Sequence, residues 1–243
     1  MGAAFGWGTL AASSLVVGAV IALVFHIPLR TIGLIMGFGS GVLISAVAFD
    51  LVEEAVNTAS GHGAAIAGIF AGCAVFSIGN WWIDRSGGGD RKDATGAQQD
   101  GTALAIVLGT VLDGIPESLV IGLTIYHGGA VGAAYLVAVY ISNLPESISS
   151  TSGLAASGWR TTRILLLWIA IALISGLASL VGYRLFQRSS PDTVAFVLTF
   201  AAGAILTMLA DTMMPEAYEH GGKLVGVATT LGFALAYTIH LLD

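Results

Sequence analysis

Cysteine is all but absent. Cys73 stands alone in a chain of 243 residues, so no intrachain disulfide forms, and its place in an apolar run makes it a packing residue. Charge is scarce too. Only 10% of residues are Asp, Glu, Lys or Arg, against 56% hydrophobic ones, whereas soluble domains carry about 25% charged residues. So few charges cannot cover a water-facing surface, which excludes an ordinary soluble domain; the mean hydropathy is +0.87. No basic segment precedes the first apolar run, so a cleaved leader is not expected and the first helix should be retained. No basic patch speaks for nucleic acid. Lys and Arg together number nine, against fifteen Asp and Glu, and none of the nine falls at the centre of an apolar run. An acid-bearing interior without bases favours a cation over an anion.

What the chain has in plenty is long apolar stretches. A membrane-spanning helix needs about 20 apolar residues, and eight runs qualify: roughly 5–25, 31–57, 62–84, 102–127, 130–154, 161–187, 191–219 and 222–242. None alternates like a strand, and an open sheet edge does not survive in lipid, so the expected fold is an all-α membrane bundle. A Gly-rich segment of mixed charge, about 85–101, reads as a flexible loop inside a single transmembrane domain.

The fourth and fifth runs carry the chemistry. Each has Pro-Glu-Ser at its middle: Asp113-Gly114-Ile115-Pro116-Glu117-Ser118 and Ser142-Asn143-Leu144-Pro145-Glu146-Ser147. Ionisable residues at membrane depth are costly and mark function by default. Helical spacing puts Asp113 with Glu117 on one face, and Asn143 with Glu146 and Ser147 on another. Facing carboxylates need a partner, and a divalent cation bound by carboxylate and amide oxygens supplies one. Each proline also frees a carbonyl, at Leu112 and Ile141, which is tolerated at depth where it lines a cavity or binds an ion. Ser118, Ser142 and Ser147 are weaker ligands or satisfy those carbonyls. Two other acid groups, Asp50/Glu53/Glu54 and Asp211/Glu216 with His220, lie near helix ends and are expected at the mouths of a path, with solvated caps as the plain alternative.

The second and seventh runs align without gaps, Gly41 with Gly203, Ser45 with Thr207, Glu54 with Glu216 and Ala55 with Ala217. This suggests halves built from runs 1–3 and 6–8, inverted about the central pair, as in many transporters. Positive charge sets orientation. Arg30, Arg85, Arg91, Lys92, Arg160, Arg163 and Lys223 fall in one set of loops and Arg184 and Arg188 in the other, placing the first set in the cytoplasm and both termini outside.

With mid-helix Pro-Glu motifs in the fourth and fifth of eight spans, the chain resembles the ZIP family of divalent-metal transporters, as a divergent member. The family's His-Asn-x-Pro-Glu-Gly in the fourth span corresponds here to Asp113-Gly114-Ile115-Pro116-Glu117-Ser118. The resemblance implies metal ligation by Glu117 and Glu146, with Asp113 and Asn143 beside them. It also implies a homodimer in the cell membrane and transport of zinc, iron, manganese or a similar ion toward the cytoplasm by alternating access. The metal is substrate, and no cofactor is expected. In the family the sixth span often bears a further acid; the run Ile164 to Leu185 has none. An all-oxygen site suits Mn²⁺, Mg²⁺ or Ca²⁺ better than zinc, which favours His and Cys. The alternatives are an intramembrane hydrolase using paired acids, such as Asp113 with Glu117 or Asp211, and a metal or proton sensor that does not transport.

Overall fold

The structure is a computed structural model describing residues 2–88, 94–95, 103–126, 133–186 and 189–242. Among these the chain is all helical, without strands. The α-helical segments are α1 (Gly2–Val24), α2 (Leu29–Ser45), α3 (Glu54–Thr58), α4 (His62–Ile83), α5 (Ala103–Tyr126), α6 (Ala133–Ala156), α7 (Thr161–Leu185), α8 (Pro191–Met208), α9 (Met214–Gly221) and α10 (Val225–His240). Among the described residues, five stretches are long and apolar enough to cross a membrane: Gly2–Val24, Leu29–Thr58, His62–Ser86, Thr161–Leu185 and Pro191–His240. α6 is diluted by a run of Ser, Asn, Glu and Thr between Ser142 and Ser152.

The breaks follow local chemistry. Pro28 stands before α2 in extended backbone. The side chain of Ser190 caps α8 by accepting from the Thr193 N–H at 3.2 Å, with Pro191 in the first turn, the favoured arrangement for a helix start. Gly222, at φ +64, makes the corner before α10, a conformation few other residues adopt cheaply. Two helices run on through widened π-type turns, Ala46–Glu53 joining α2 to α3 and Leu209–Met213 joining α8 to α9. Each holds an acid, Asp50 or Asp211, and such turns recur at functional sites. The segment expected as a loop from about 85 begins instead as a continuation of helix, Asp84–Gly88. Residues 89–93 and 96–101 lie outside the described ones.

Packing relies on small residues. α4 lies along α8, α2 along α10, α1 along α7 and α6, and α5 along α7. At Gly72 a Cβ would run into the carbonyl oxygen of Phe200, and at Gly232 into that of Phe38. Gly41 and Gly203 meet the carbonyls of Thr229 and Ile69 in the same way. The step from Gly41 to Gly203 equals the step from Phe38 to Phe200, so the two crossings are built alike. Close backbone approach of this kind supplies van der Waals contact where lipid provides no hydrophobic drive. Phe70, Ile78 and Trp82 on α4, Leu173 and Leu177 on α7, and Leu231 on α10 are exposed, an apolar outer surface suited to lipid. Two apolar clusters fill the interior. The larger includes Met36, Leu43, Phe76, Ile121, Leu198 and Met208, and the smaller joins Leu15, Leu154, Ile164, Trp168 and Ile171.

Crowding at these glycines makes a sharp prediction. Gly72→Ala and Gly232→Ala should each lower stability in detergent by about 1–3 kcal/mol, whereas Gly226→Ala, with nothing within 4 Å of the new methyl, should melt like the parent. Thermal unfolding followed by tryptophan fluorescence reads the difference, and equal melting of all three variants would contradict the packing described.

Candidate metal-binding site

α5 and α6 bring Glu117, Ser118, Asn143 and Glu146 to one buried cavity. Its other lining residues are Thr110 and Gly114 of α5, Val139 of α6, Ala11, Ala12 and Leu15 of α1, and Ile171 and Ser175 of α7. Ala11 and Val139 belong to the larger apolar cluster and Ala12, Leu15 and Ile171 to the smaller, so the polar cavity lies where the two cores meet. It offers about 10 Å³ to the centre of a water-sized sphere, room for roughly one water. Among the described residues, no Lys, Arg or His lines it.

Helix geometry decides which predicted residues reach this space. Thr110, Gly114, Glu117 and Ser118 follow the i, i+4, i+7, i+8 stripe that faces one way. Asp113 lies to the side of that stripe. It is buried but is not part of the cavity lining, although its four-residue spacing from Glu117 suggested a shared face. On α6, Val139, Asn143 and Glu146 form the matching stripe. Ser142 and Ser147, weighed as weak ligands, donate instead to the carbonyls of Val139 and Leu144, both at 3.0 Å. Ser147 also packs where α1 comes close at Gly18. Gly39 of α2 lies against the ring of Pro145. Glycines from two helices thus approach this turn of α6.

The donor set around the cavity is all oxygen and amide: the carboxylates of Glu117 and Glu146, the Asn143 carboxamide and the hydroxyls of Thr110, Ser118 and Ser175. Among the described residues no group of three or more His, Cys, Asp or Glu side chains stands close enough to share an ion, so any ion held here would lean on Asn143, Ser118 and backbone as well as the two glutamates. α7 presents Ile171 and Ser175 rather than an acid, and a Cβ at Gly114 would lie 3.7 Å from the Ser175 hydroxyl. Two neutral, small residues thus face each other beside the glutamates.

The acids expected at the mouths divide. Glu53 and Glu54 are exposed, and Glu54 only accepts from Thr58 at 3.3 Å, as the solvated-cap reading has it. Asp211 is exposed on an apolar groove with Cys73 and Ser77, far from the buried setting that acid–base chemistry paired with Asp113 would need. Glu216 accepts from the Ala94 N–H at 3.0 Å and from Ser149 at 3.4 Å, with His220 Nε2 at 3.6 Å. Asp50 meets His240 at 2.8 Å. Sequence reasoning passed over Thr110, Ser175, Tyr135 and the Asp50–His240 contact. Thr110 was findable as the next residue back along the Gly114/Glu117 stripe. The partner of Asp50 was not, since nothing local ties two residues so distant in the chain.

No protein-family model matches the chain, and no curated protein matches it in sequence.

Bound ligand stabilises the folded state by mass action, by about 2.7 kcal/mol at a hundredfold excess over Kd. Mn²⁺ should therefore raise the melting temperature of the detergent-solubilised protein. Glu117→Gln, which keeps the side-chain volume and removes the charge, should abolish that rise. An equal rise in wild type and variant would show that the cavity does not hold the ion.

Proposed function

We propose that the protein is a secondary transporter carrying a divalent metal cation across a cell membrane toward the cytoplasm, by alternating access around Glu117, Asn143 and Glu146. The observation that carries this reading is the convergence of these three side chains on one cavity lined by α5, α6, α1 and α7. Two carboxylates in a low-dielectric interior repel each other, and a doubly charged cation turns that repulsion into attraction. Intramembrane acids arranged around a polar space are the usual mark of an ion path.

On this reading the chain spans the membrane eight times. The five long apolar stretches supply six spans, since Pro191–His240 turns at Gly222, and α5 and α6 supply two more. Each of those is 24 residues long, enough to cross the hydrocarbon at about 1.5 Å per residue. The 3+2+3 plan with inverted halves draws support from the packing. Exchanging α1 with α7, α2 with α8, α4 with α10 and α5 with α6 turns the α4–α8 contact into the α10–α2 contact. The same exchange turns α1–α6 into α7–α5. The paired glycine crossings and the paired π-type turns obey it as well. Inverted repeats place substrate near the midplane, between the halves, where the Pro-Glu pair lies. Both termini are extracytoplasmic, by the distribution of Arg and Lys.

The resemblance to the ZIP transporters supports the same function, with a homodimer as the assembly. Asp113, Gly114 and the missing acid on the sixth span make this a single-ion, oxygen-rich variant of that plan. Glu216 and His220 form the cytoplasmic exit and Asp50 the outer entrance.

Uptake into proteoliposomes tests the proposal. A panel of Zn²⁺, Mn²⁺, Fe²⁺, Co²⁺, Cd²⁺ and Mg²⁺ should show saturable flux for at least one ion. Loss of a supporting group around a metal typically costs about 10–100-fold, so Glu117→Ala and Glu146→Ala should each cut uptake by at least about tenfold. Unchanged uptake in both variants ends the proposal. Calorimetric binding without flux would instead mark a sensor.

A further inference from the structure

A second polar group lies buried on the cavity stripe of α6. Tyr135 stands at the start of the series Tyr135, Val139, Asn143, Glu146, whose spacing of four, four and three residues keeps one helical face. The last three line the cavity. Tyr135 is 3% exposed, and its hydroxyl has no hydrogen-bond partner. A buried phenol normally finds one, because leaving the hydroxyl bare costs about 1–3 kcal/mol. The charged groups whose fields reach this hydroxyl are Glu117, on the cavity wall, and Asp50. α6 packs against the π-type segment Ala46–Glu53 that carries Asp50, and α10 packs against that segment too.

Burial is graded along the series. His240, which ends α10, is 31% exposed, and Asp50, bonded to it, is 14% exposed; Tyr135 and Glu117 are nearly sealed. The ring of Phe49 lies 5.5 Å from that of His240 and 4.8 Å from that of Tyr237, so aromatic rings wall the outer end. His240 and Asp50 are thus the more open polar pair, and Tyr135 and Glu117 the sealed one. Tyr135 stands on the cavity face of α6, on the helix that packs against the segment bearing Asp50.

We propose that Tyr135 is a cation-binding station between Asp50 and the central cavity, its hydroxyl oxygen turning toward a partly hydrated divalent ion on its way to Glu117. The chemistry is that of a neutral oxygen in an ion's shell. It takes the place of a water at the point where the ion leaves solvent, and no covalent step is involved. The inference rests on the transport reading above and adds to it a residue that acts on affinity and ion choice rather than on the central ligation.

Tyr135→Phe separates the hydroxyl from the ring, keeping the packing of a buried aromatic. In proteoliposomes of the full chain, with Mn²⁺ as the probe and Zn²⁺ as the second ion, the variant should raise KM for Mn²⁺ about tenfold, the low end of what losing a group around a metal costs. Its maximal rate per folded transporter should stay within about twofold. The ratio of Mn²⁺ to Zn²⁺ uptake should fall, because losing an oxygen donor harms the harder ion more. A variant with unchanged KM and unchanged ion order, measured beside a Glu117→Ala control that is dead, overturns the station and leaves the transport reading intact. A Glu117→Ala control that still transports overturns both. Should Tyr135→Phe fail to fold, Tyr135→Met, which keeps a large apolar side chain without an oxygen, decides: a comparable rise in KM supports the station, and an unchanged KM overturns it.

Discussion

Two glutamates held in the interior, on walls that carry no base, are the constraint on which the rest of the structure turns. Ionised carboxylates removed from water cost several kcal/mol each even after relaxation. Several of the interior's other polar groups are occupied locally. Ser142 and Ser147 donate to carbonyls of their own helix, Thr151 accepts from the Trp168 indole at 2.8 Å, and Ser179 donates to the Ala4 carbonyl at 2.9 Å. What lines the cavity is acceptor-rich: two carboxylates, a carboxamide and three hydroxyls. Such a lining is poor at holding an anion and apt for a cation. The same economy explains the hydroxyl of Ser175, which adds polarity on the α7 side without adding charge.

Close packing makes that arrangement possible. Glycines seat α4 on α8 and α2 on α10 at van der Waals distance from bare backbone, while Gly18 and Gly39 close on α6 near Pro145. α6 is therefore wrapped over its middle and shows no large exposed apolar side chain among the described residues, whereas α5 exposes Ile115. A helix as polar as α6 is stable at this depth only inside such a wrap, because its serines would otherwise face hydrocarbon. The apolar outer faces of α4, α7 and α10 mirror this, with their side chains turned toward lipid.

The helices were legible in the sequence because apolar length, prolines and glycine corners act locally. Pro28, Pro191 and Gly222 mark breaks that any reader of the chain finds. The Pro-Glu pair was legible for the same reason, since a carboxylate mid-run has no cheap alternative explanation. Facing was less so. Asp113 and Glu117 are one turn apart, yet a helix face is about 100° wide. The neighbours on α1 and α7, not the spacing, chose the stripe through Thr110 and Gly114. The start of the segment after Ile83 read as loop because its glycines disfavour helix, yet the helix runs on to Gly88. The contacts of Ala94 with Glu216 and of Asp50 with His240 are set by tertiary packing alone, which no single sequence displays.

Cavity size bears on the ion. A space with room for about one water does not accept an ion with a full hydration shell, so on the transport reading most waters must be exchanged for protein oxygens before the ion sits between Glu117 and Glu146. Mg²⁺ gives up its waters reluctantly and usually keeps several, so the small cavity works against it. Zinc gains most from nitrogen and sulfur ligands, and the lining offers neither. Mn²⁺ is less demanding on both counts, taking carboxylate and carbonyl oxygens readily. On the transport reading, the exclusion of water that makes the glutamates costly to bury is thus the same property that would sort the ions, while Gly114 and Ser175 add no further charged ligand.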